Sequence, residues 1–485
     1  MAEYDIPMII RGKVIRDHMV TYPVRRSGMT FRTPDMKHYV DQMVLRDASG
    51  MADMYRISTL EIIDFLVELA SRLSPETNEH IKLALELNLQ ANVQSRDILF
   101  QIYNSTCKST TKASMLESIE KTIGLAAFDS WESRKLADRE VLIRAVGSRI
   151  VSLNPGNSPA AAVGGLTQSA LHRCDNIVKF PANDPYTATA IALTMIEMAP
   201  DHPVTKHYSV GYWKGGDREV EEKLYKPANL EKIIAWGGWA SMRQVRSYLV
   251  PGIDLIALDP KTSASMIGRE AFASQDTIAY VANQLAKDVG MFNQAFCSSS
   301  RVAFVESGTD AAGLKQLCQL GELVYAAVQK LPVQVSSDSP DFSEALRQDI
   351  EGIRNSDQFR VIGVKGSEGG VIVSQVSKPV DFKDLLNFRV VNLVPVDRIE
   401  DALQWVTTDT QTIGIYPESL KERLRDRCAM HGGQRLTTLG CSPFEGGGAP
   451  HDGMEVNRRI ARWVVVENFD AETIQRGTGM VCQPT

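Results

Sequence analysis

Cys297 lies in the run Phe292-Asn293-Gln294-Ala295-Phe296-Cys297-Ser298-Ser299-Ser300, between a helix-like segment and a strand-like one. A thiolate in that setting is a good acyl acceptor, because sulfur is nucleophilic and the thioester it forms is readily broken down. The small serines that follow leave backbone N–H groups to point at a bound group. The ordinary alternative is a half-buried structural thiol. Asn157 sits in the turn Asn154-Pro155-Gly156-Asn157-Ser158-Pro159, directly before a helical stretch. A carboxamide N–H there suits an oxyanion, together with a backbone N–H near the cysteine. The commoner role of such an asparagine is a helix N-cap or a turn.

Lys179 follows the apolar strand residues Asn176-Ile177-Val178. A lysine at the C-terminal end of an α/β strand sits where ligands bind, within reach of ribose hydroxyls or phosphate, unless it is simply solvated. Gly237 and Gly238 follow another apolar strand and precede a helix, so the backbone can approach a pyrophosphate at the helix N-terminus. No GxGxxG occurs there, and the standard dinucleotide fingerprint is absent. Cys428, His431, Cys441 and His451 are zinc-ligand types, but they lack a second close pair and lie in glycine-rich sequence, so no metal is expected. His451-Asp452-Gly453 reads as a turn.

The elements that must position these residues alternate between helical and β-branched stretches. Residues 54–73 have helical apolar spacing, with Ser58 and Glu61 as a capping box. Residues 80–103 read as one further helix, and 142–153 as strand composition leading into the Pro/Gly-rich turn. Then come a helix over 160–174, a strand over 176–180, a helix over 186–199, and strands over 233–239 and 254–260. This order predicts an α/β fold with parallel strands. A second unit begins after about residue 262, with a strand at 301–307, a helix at 311–331 and three later strands.

The chain has 485 residues, enough for roughly three units of about 150 residues. Its 53 basic and 59 acidic residues give a net charge of −6, which argues against a dedicated nucleic-acid binder. No window resembles a signal peptide or a membrane span. Seven scattered cysteines do not form a disulfide framework, so a reduced, cytoplasmic protein is expected.

The opening IPMIIRGKVI, the PGNSP turn, NIVKFPANDPYTA, the AWGGW glycines, the cysteine block and the closing PHDG and RRIARWVVVE resemble, in that order, the aldehyde dehydrogenase superfamily. The resemblance is closest to its acyl-CoA reductase branch, the LuxC-type fatty-acyl-CoA reductases, and covers residues 6–466. It implies two parallel-sheet α/β domains plus a small oligomerisation appendage. Residues 1–262 would bind nucleotide, with an oligomerisation strand segment near 130–153; 263–455 would carry the cysteine, and 456–485 would return to the body and end in a tail. Carried over, Cys297 is the nucleophile, Asn157 the oxyanion donor, Lys179 the adenosine-ribose ligand, Gly238 the glycine beside the cofactor phosphates, and Phe388 the aromatic residue near the nicotinamide ribose.

Two departures matter. The hydrolytic Glu-Leu-Gly-Gly-Lys motif is replaced by Ala257-Leu258-Asp259-Pro260-Lys261, which removes the general base. Leu386 stands where a carboxylate would hold the nicotinamide ribose. The expected reaction is therefore reduction of an acyl thioester, such as an acyl-CoA, to an aldehyde through a Cys297 thioacyl-enzyme. The uncharged stretch after Lys179 favours NADP(H), with NAD(H) the alternative. A homo-oligomer and an acyl-donating protein are the implied partners. The rival activities are oxidation of a bulky aldehyde and cofactor-free acyl transfer or thioester hydrolysis.

Overall fold

Short apolar runs become five parallel strands, Arg149–Leu153, Asp175–Lys179, Tyr208–Gly211, Lys232–Trp236 and Asp254–Leu258. Near-continuous apolarity is what burial on both faces requires. The computed structural model of the chain describes residues 3–469 apart from 25–27, 138, 340–341, 445 and 447. Across the sheet these strands run fifth, fourth, first, second, third, and the hairpin Met8–Ile10/Lys13–Ile15 adds to the last of them. The order reverses between Arg149–Leu153 and Lys232–Trp236. Loops leaving the C-terminal ends of two such strands diverge and open a crevice. The turn carrying Asn157 leaves one of them, and Gly237-Gly238 leaves the other.

A second seven-stranded sheet has the order Phe359–Gly363, Gly370–Ser374, Val390–Pro395, Ser300–Val305, Thr262–Ile267, Thr410–Tyr416 and Arg435–Thr438, parallel except for the first. Cys297 stands just before Ser300–Val305, at the N-terminal edge of this sheet. Two small sheets complete the β structure. One joins Glu3–Asp5, Thr30–Pro34 and Met19–Pro23; the other joins Glu132–Lys135, Glu140–Val146 and the C-terminal strand Arg462–Glu467. Residues 470–485, where most of the expected tail falls, lie outside the described residues. Among the described residues no helix is long and apolar enough to cross a membrane.

Local signals account for most boundaries. The Ser58/Glu61 capping box starts the helix Thr59–Arg72. Two expectations need correction. The stretch 80–103 is two helices, Glu79–Ala91 and Arg96–Ser109: Asn92 donates its side-chain amide to the Gly156 carbonyl (3.0 Å), and Ser95 caps the second helix. The stretch 142–153 is two strands in different sheets, broken at Gly147-Ser148. A Cβ on Gly147 would lie 2.0 Å from the Arg173 carbonyl oxygen, so only glycine lets the chain pass.

Arg173 is itself a buried staple, bonded to the carbonyls of Met54, Ile57 and Phe128 and to Asp129. At the opposite edge from the crevice, His207 is gripped by Asp175 and Asp53, each 2.8 Å away, and Arg11 pairs with Asp175. Burial pushes the His207 pKa down, but the two carboxylates outweigh it and hold the imidazolium above its ordinary value. A raised folded-state pKa means stability that is full below about pH 6.5 and is lost as pH rises through the folded value. His207→Gln is expected to flatten this part of the pH dependence of thermal unfolding above about pH 6.5, measured by circular dichroism.

Candidate active site

Cys297 follows a turn that L-residues adopt reluctantly. Phe292, Asn293 and Gln294 have φ of 52°, 53° and 63°. Each left-handed residue costs about 1–2 kcal/mol, so the surroundings must impose the shape. The Phe292 N–H donates to the Val335 carbonyl (2.6 Å), and Asn293 Oδ1 accepts from the Ser337 N–H (2.9 Å). Gln294 is fully buried; it donates to the carbonyls of Ser300 (2.8 Å) and Val390 (2.9 Å) and accepts from the Val390 N–H (3.0 Å). The turn delivers Cys297 exposed, with its own carbonyl accepting from Ser263 Oγ at 2.7 Å.

Two hydrogen bonds reach this turn from the first half of the molecule. Asn157 Nδ2 donates to the Ala295 carbonyl and Gln94 Nε2 to the Phe292 carbonyl, each at 3.0 Å. The helix Ala160–Leu171 has Pro159 at its N-cap and no side-chain cap, so Asn157 does not serve as one. Its own turn is fixed by Asn183 and Asn92, which both donate to the Gly156 carbonyl. One amide hydrogen of Asn157 thus anchors the cysteine turn, and its second has no acceptor among the described residues.

Gln411 touches the sulfur, and two charged groups, Asp452 and Arg301, lie near it. Gln411, in the strand Thr410–Tyr416, has Nε2 3.1 Å from Cys297 Sγ and 2.6 Å from Asp452 Oδ1. The Asp452 side chain is only 4% exposed, and its Oδ1 lies 3.4 Å from His451 Nδ1. These residues line a cleft with Gln434, Arg435 and Pro450. On the strand leaving Cys297, burial pulls the Arg301 pKa down while the charges of Asp384 and Cys297 support it. Arg301 also donates to the Leu386 carbonyl. By its sequence Asp452 is a turn residue only, which the His451–Met454 bridge makes it, and Gln411 has no sequence signal because a glutamine inside a strand carries no motif.

The remaining candidates fall into two places. Lys179 ends its strand at the crevice, half-buried, with its ammonium 5.5 Å from the Trp213 ring and 5.9 Å from that of Tyr212. Burial lowers its pKa and the charge of Glu221 opposes this. Among the described residues no carboxylate lies within salt-bridge distance of it. Gly238 caps the helix Trp239–Arg246, and a Cβ there would meet nothing within 4 Å, whereas on Gly237 it would come 3.0 Å from Ser241 Cβ. A cation, an open glycine face and a helix start therefore line one crevice and suit a dinucleotide diphosphate.

Phe388 is in the second sheet's half, packed on Phe342 with ring centroids 5.5 Å apart, in the cluster that holds Leu386. Ala257 lies in the strand Asp254–Leu258 opposite Ala235 and brings no carboxylate. Among the described residues no group of three or more His, Cys, Asp or Glu side chains is arranged to hold a metal ion.

Two seven-stranded, parallel-rich sheets, the second preceded at its strand Ser300–Val305 by Cys297, make up an aldehyde-dehydrogenase-like fold. Lactaldehyde dehydrogenase from Escherichia coli superposes with a TM-score of 0.71 over 96% of this chain and 99% of that one, at 13% identity. NADP-dependent glyceraldehyde-3-phosphate dehydrogenase from Bacillus halodurans does so with a TM-score of 0.71 over 95% and 99%, at 11% identity. Residues 54–463 match the acyl-CoA reductase (LuxC) family, and the chain belongs to that family. It is similar to the long-chain acyl-protein thioester reductase of Vibrio harveyi, with 25% identity over 373 residues, 75% of this chain and 74% of that protein. The protein of the same name from Aliivibrio fischeri is 24% identical over 464 residues, 95% and 92% of the two chains. The chain is thus an oxidoreductase acting on acyl or aldehyde groups.

Proposed function

We propose that this protein reduces an acyl thioester to an aldehyde with NADPH, through a thioacyl-enzyme on Cys297. The observation that carries the reading is an exposed thiol held at the end of a strained turn, with the Asn157 amide reaching that same turn across the crevice. The Cys297 thiolate attacks the thioester carbonyl. The free N–H of Asn157 and the Cys297 backbone N–H stabilise the oxyanion, a preorganised donor being worth about 3–4 kcal/mol. The carrier leaves as a thiolate that takes up a proton, and the acyl group stays on sulfur. Ala257 offers no base to activate water, so hydrolysis of this intermediate is slow.

Lys179, Gly237 and Gly238 would hold the dinucleotide, Lys179 at the adenosine ribose and the glycines at the diphosphate. When bound, the reduced nicotinamide would supply a hydride to the carbonyl carbon of the enzyme thioester. Collapse of the resulting thiohemiacetal anion expels Cys297 as thiolate and frees the aldehyde, so the one proton consumed overall is the one taken up by the departing carrier thiolate. Phe388 would pack near the nicotinamide ribose. NADPH is favoured over NADH because the stretch Phe180-Pro181-Ala182-Asn183 after Lys179 is uncharged, which leaves room for a 2′-phosphate with the Lys179 ammonium as its partner.

In this reading residues 1–262 bind the cofactor, 263–455 carry the nucleophile, and the segment after 455 returns to the first half through Arg462–Glu467. The sheet of Glu132–Lys135, Glu140–Val146 and Arg462–Glu467 exposes Leu142, Val465 and Val466 and serves a homo-oligomer of a cytoplasmic enzyme. The acyl donor is a coenzyme A thioester or an acyl-protein, the group named for the relatives. The test follows reduced-nicotinamide absorbance with NADPH or NADH and acyl-CoAs from short to long and aromatic, trapping the aldehyde. Oxidation that depends on both acyl-CoA and Cys297 supports the reading. A panel that stays silent with acyl-CoA while aldehyde is oxidised to acid overturns it.

A further inference from the structure

The geometry points to Gln411 as a further catalytic residue, donating an N–H to the Cys297 sulfur, and to Asp452 as the positioning residue that fixes which end of the Gln411 amide faces that sulfur. This rests on the reading of Cys297 as nucleophile.

A glutamine amide presents an oxygen or an NH₂ to its surroundings, and nothing in a strand position alone selects between them. Here the selection is electrostatic. Asp452 is an acceptor-only carboxylate, 96% shielded on its side chain, and it lies 2.6 Å from Gln411 Nε2. Rotating the amide would set Oε1 against that carboxylate, and against the sulfur as well once the thiol is ionised. With Nε2 held there, its other hydrogen meets Cys297 Sγ at 3.1 Å, and Oε1 lies 3.5 Å from Thr412 Oγ1. A thiolate is a far better acceptor than a thiol, so the N–H favours the ionised nucleophile.

The charges near the sulfur act in opposite senses. Arg301, on the strand that follows it, attracts a thiolate; Asp452, on the facing loop, repels one, and His451 beside Asp452 offsets that repulsion when protonated. Asp452 therefore makes two separable contributions, a direct charge that opposes the thiolate and an orienting bond that promotes it through Gln411. A purely structural aspartate would make only the first.

The test is the pH dependence of iodoacetamide alkylation, read at Cys297 by peptide mass in the full-length protein. Gln411→Met, similar in length and unable to donate, is expected to move the midpoint to alkaline pH by about 1–2 units, the equivalent of one hydrogen bond to a charged group. Asp452→Asn is then made in both backgrounds. In Gln411→Met it removes only a charge and moves the midpoint to acid pH. In the parent it also frees the amide to rotate, so the midpoint moves less far to acid or moves to alkaline pH.

An unchanged midpoint in Gln411→Met overturns the assignment of Gln411. An equal shift by Asp452→Asn in both backgrounds overturns that of Asp452. Thermal unfolding identifies any variant that fails to fold; Gln411→Glu then replaces Gln411→Met, with an alkaline shift expected and none overturning the assignment. A parent enzyme that alkylates normally but is never acylated at Cys297 by radiolabelled acyl-CoA would defeat the proposed function and leave the hydrogen-bond test standing.

Discussion

Cys297→Ala is expected to lower aldehyde formation from acyl-CoA on the order of 10⁴-fold or more, the loss seen when a covalent nucleophile is deleted outright. Radiolabelled acyl-CoA should leave no label on the variant. Nucleotide affinity should change little, because Lys179, Gly237 and Gly238 stand at the C-terminal ends of strands in the other sheet. Quenching of tryptophan fluorescence provides the binding assay, since Trp213 lies 5.5 Å from the Lys179 ammonium and Trp239 opens the helix after Gly238. The turn is held by Gln294, Asn293 and the Phe292 backbone, so the deletion should not unfold it. Reductase activity that survives in Cys297→Ala would remove the thiol from the mechanism.

The second large effect is expected at Asn157. Its amide has two tasks, and Asn157→Ala abolishes both: the bond to the Ala295 carbonyl and the N–H offered to the oxyanion. Turnover should fall by about 10²–10³, the usual effect of deleting one oxyanion donor. Asn157→Asp should be worse still, because its carboxylate faces both the Ala295 carbonyl and the developing negative charge. The decisive comparison is between kcat and KM. A donor that acts in the transition state lowers kcat and leaves KM nearly unchanged, while a role confined to holding the turn would loosen substrate binding as well. Equal rates for Asn157→Ala and the parent enzyme would remove the oxyanion assignment.

What could be read from the sequence divides by range of interaction. Strands such as Lys232–Trp236 and the Ser58/Glu61 cap are specified by neighbouring residues, and these fall where local patterning predicts them. The helix break at Asn92 is specified 64 residues away, by the Gly156 carbonyl that its side chain reaches. Gly147 looks like any strand glycine until Arg173 is packed against it. At the site, the cysteine, asparagine, lysine and glycines announce themselves by residue type and by flanking turns. Gln294 and Gln411 do not, since each is an ordinary amide whose partners come from other strands. The left-handed turn at 292–294 is likewise invisible, because the force imposing it is tertiary and opposes local preference.

The pairing of Arg462–Glu467 with Glu140–Val146 has a consequence for how the molecule is made. The second sheet uses an uninterrupted stretch of chain, from Thr262 to Thr438, whereas the small sheet on the first half needs strands from both sides of that stretch. Topologically the half bearing the thiol is a guest threaded into a host. During synthesis, which adds roughly 5–20 residues per second, the guest can complete its sheet while the host still lacks an edge. Until the 462–467 segment has emerged, the host carries an open strand at Glu140–Val146, ready to pair with the same segment of a neighbouring chain. The vulnerable interval of this protein's biogenesis is therefore the one before residues 462–467 emerge, and exchange of that strand between copies is the error to which its topology exposes it.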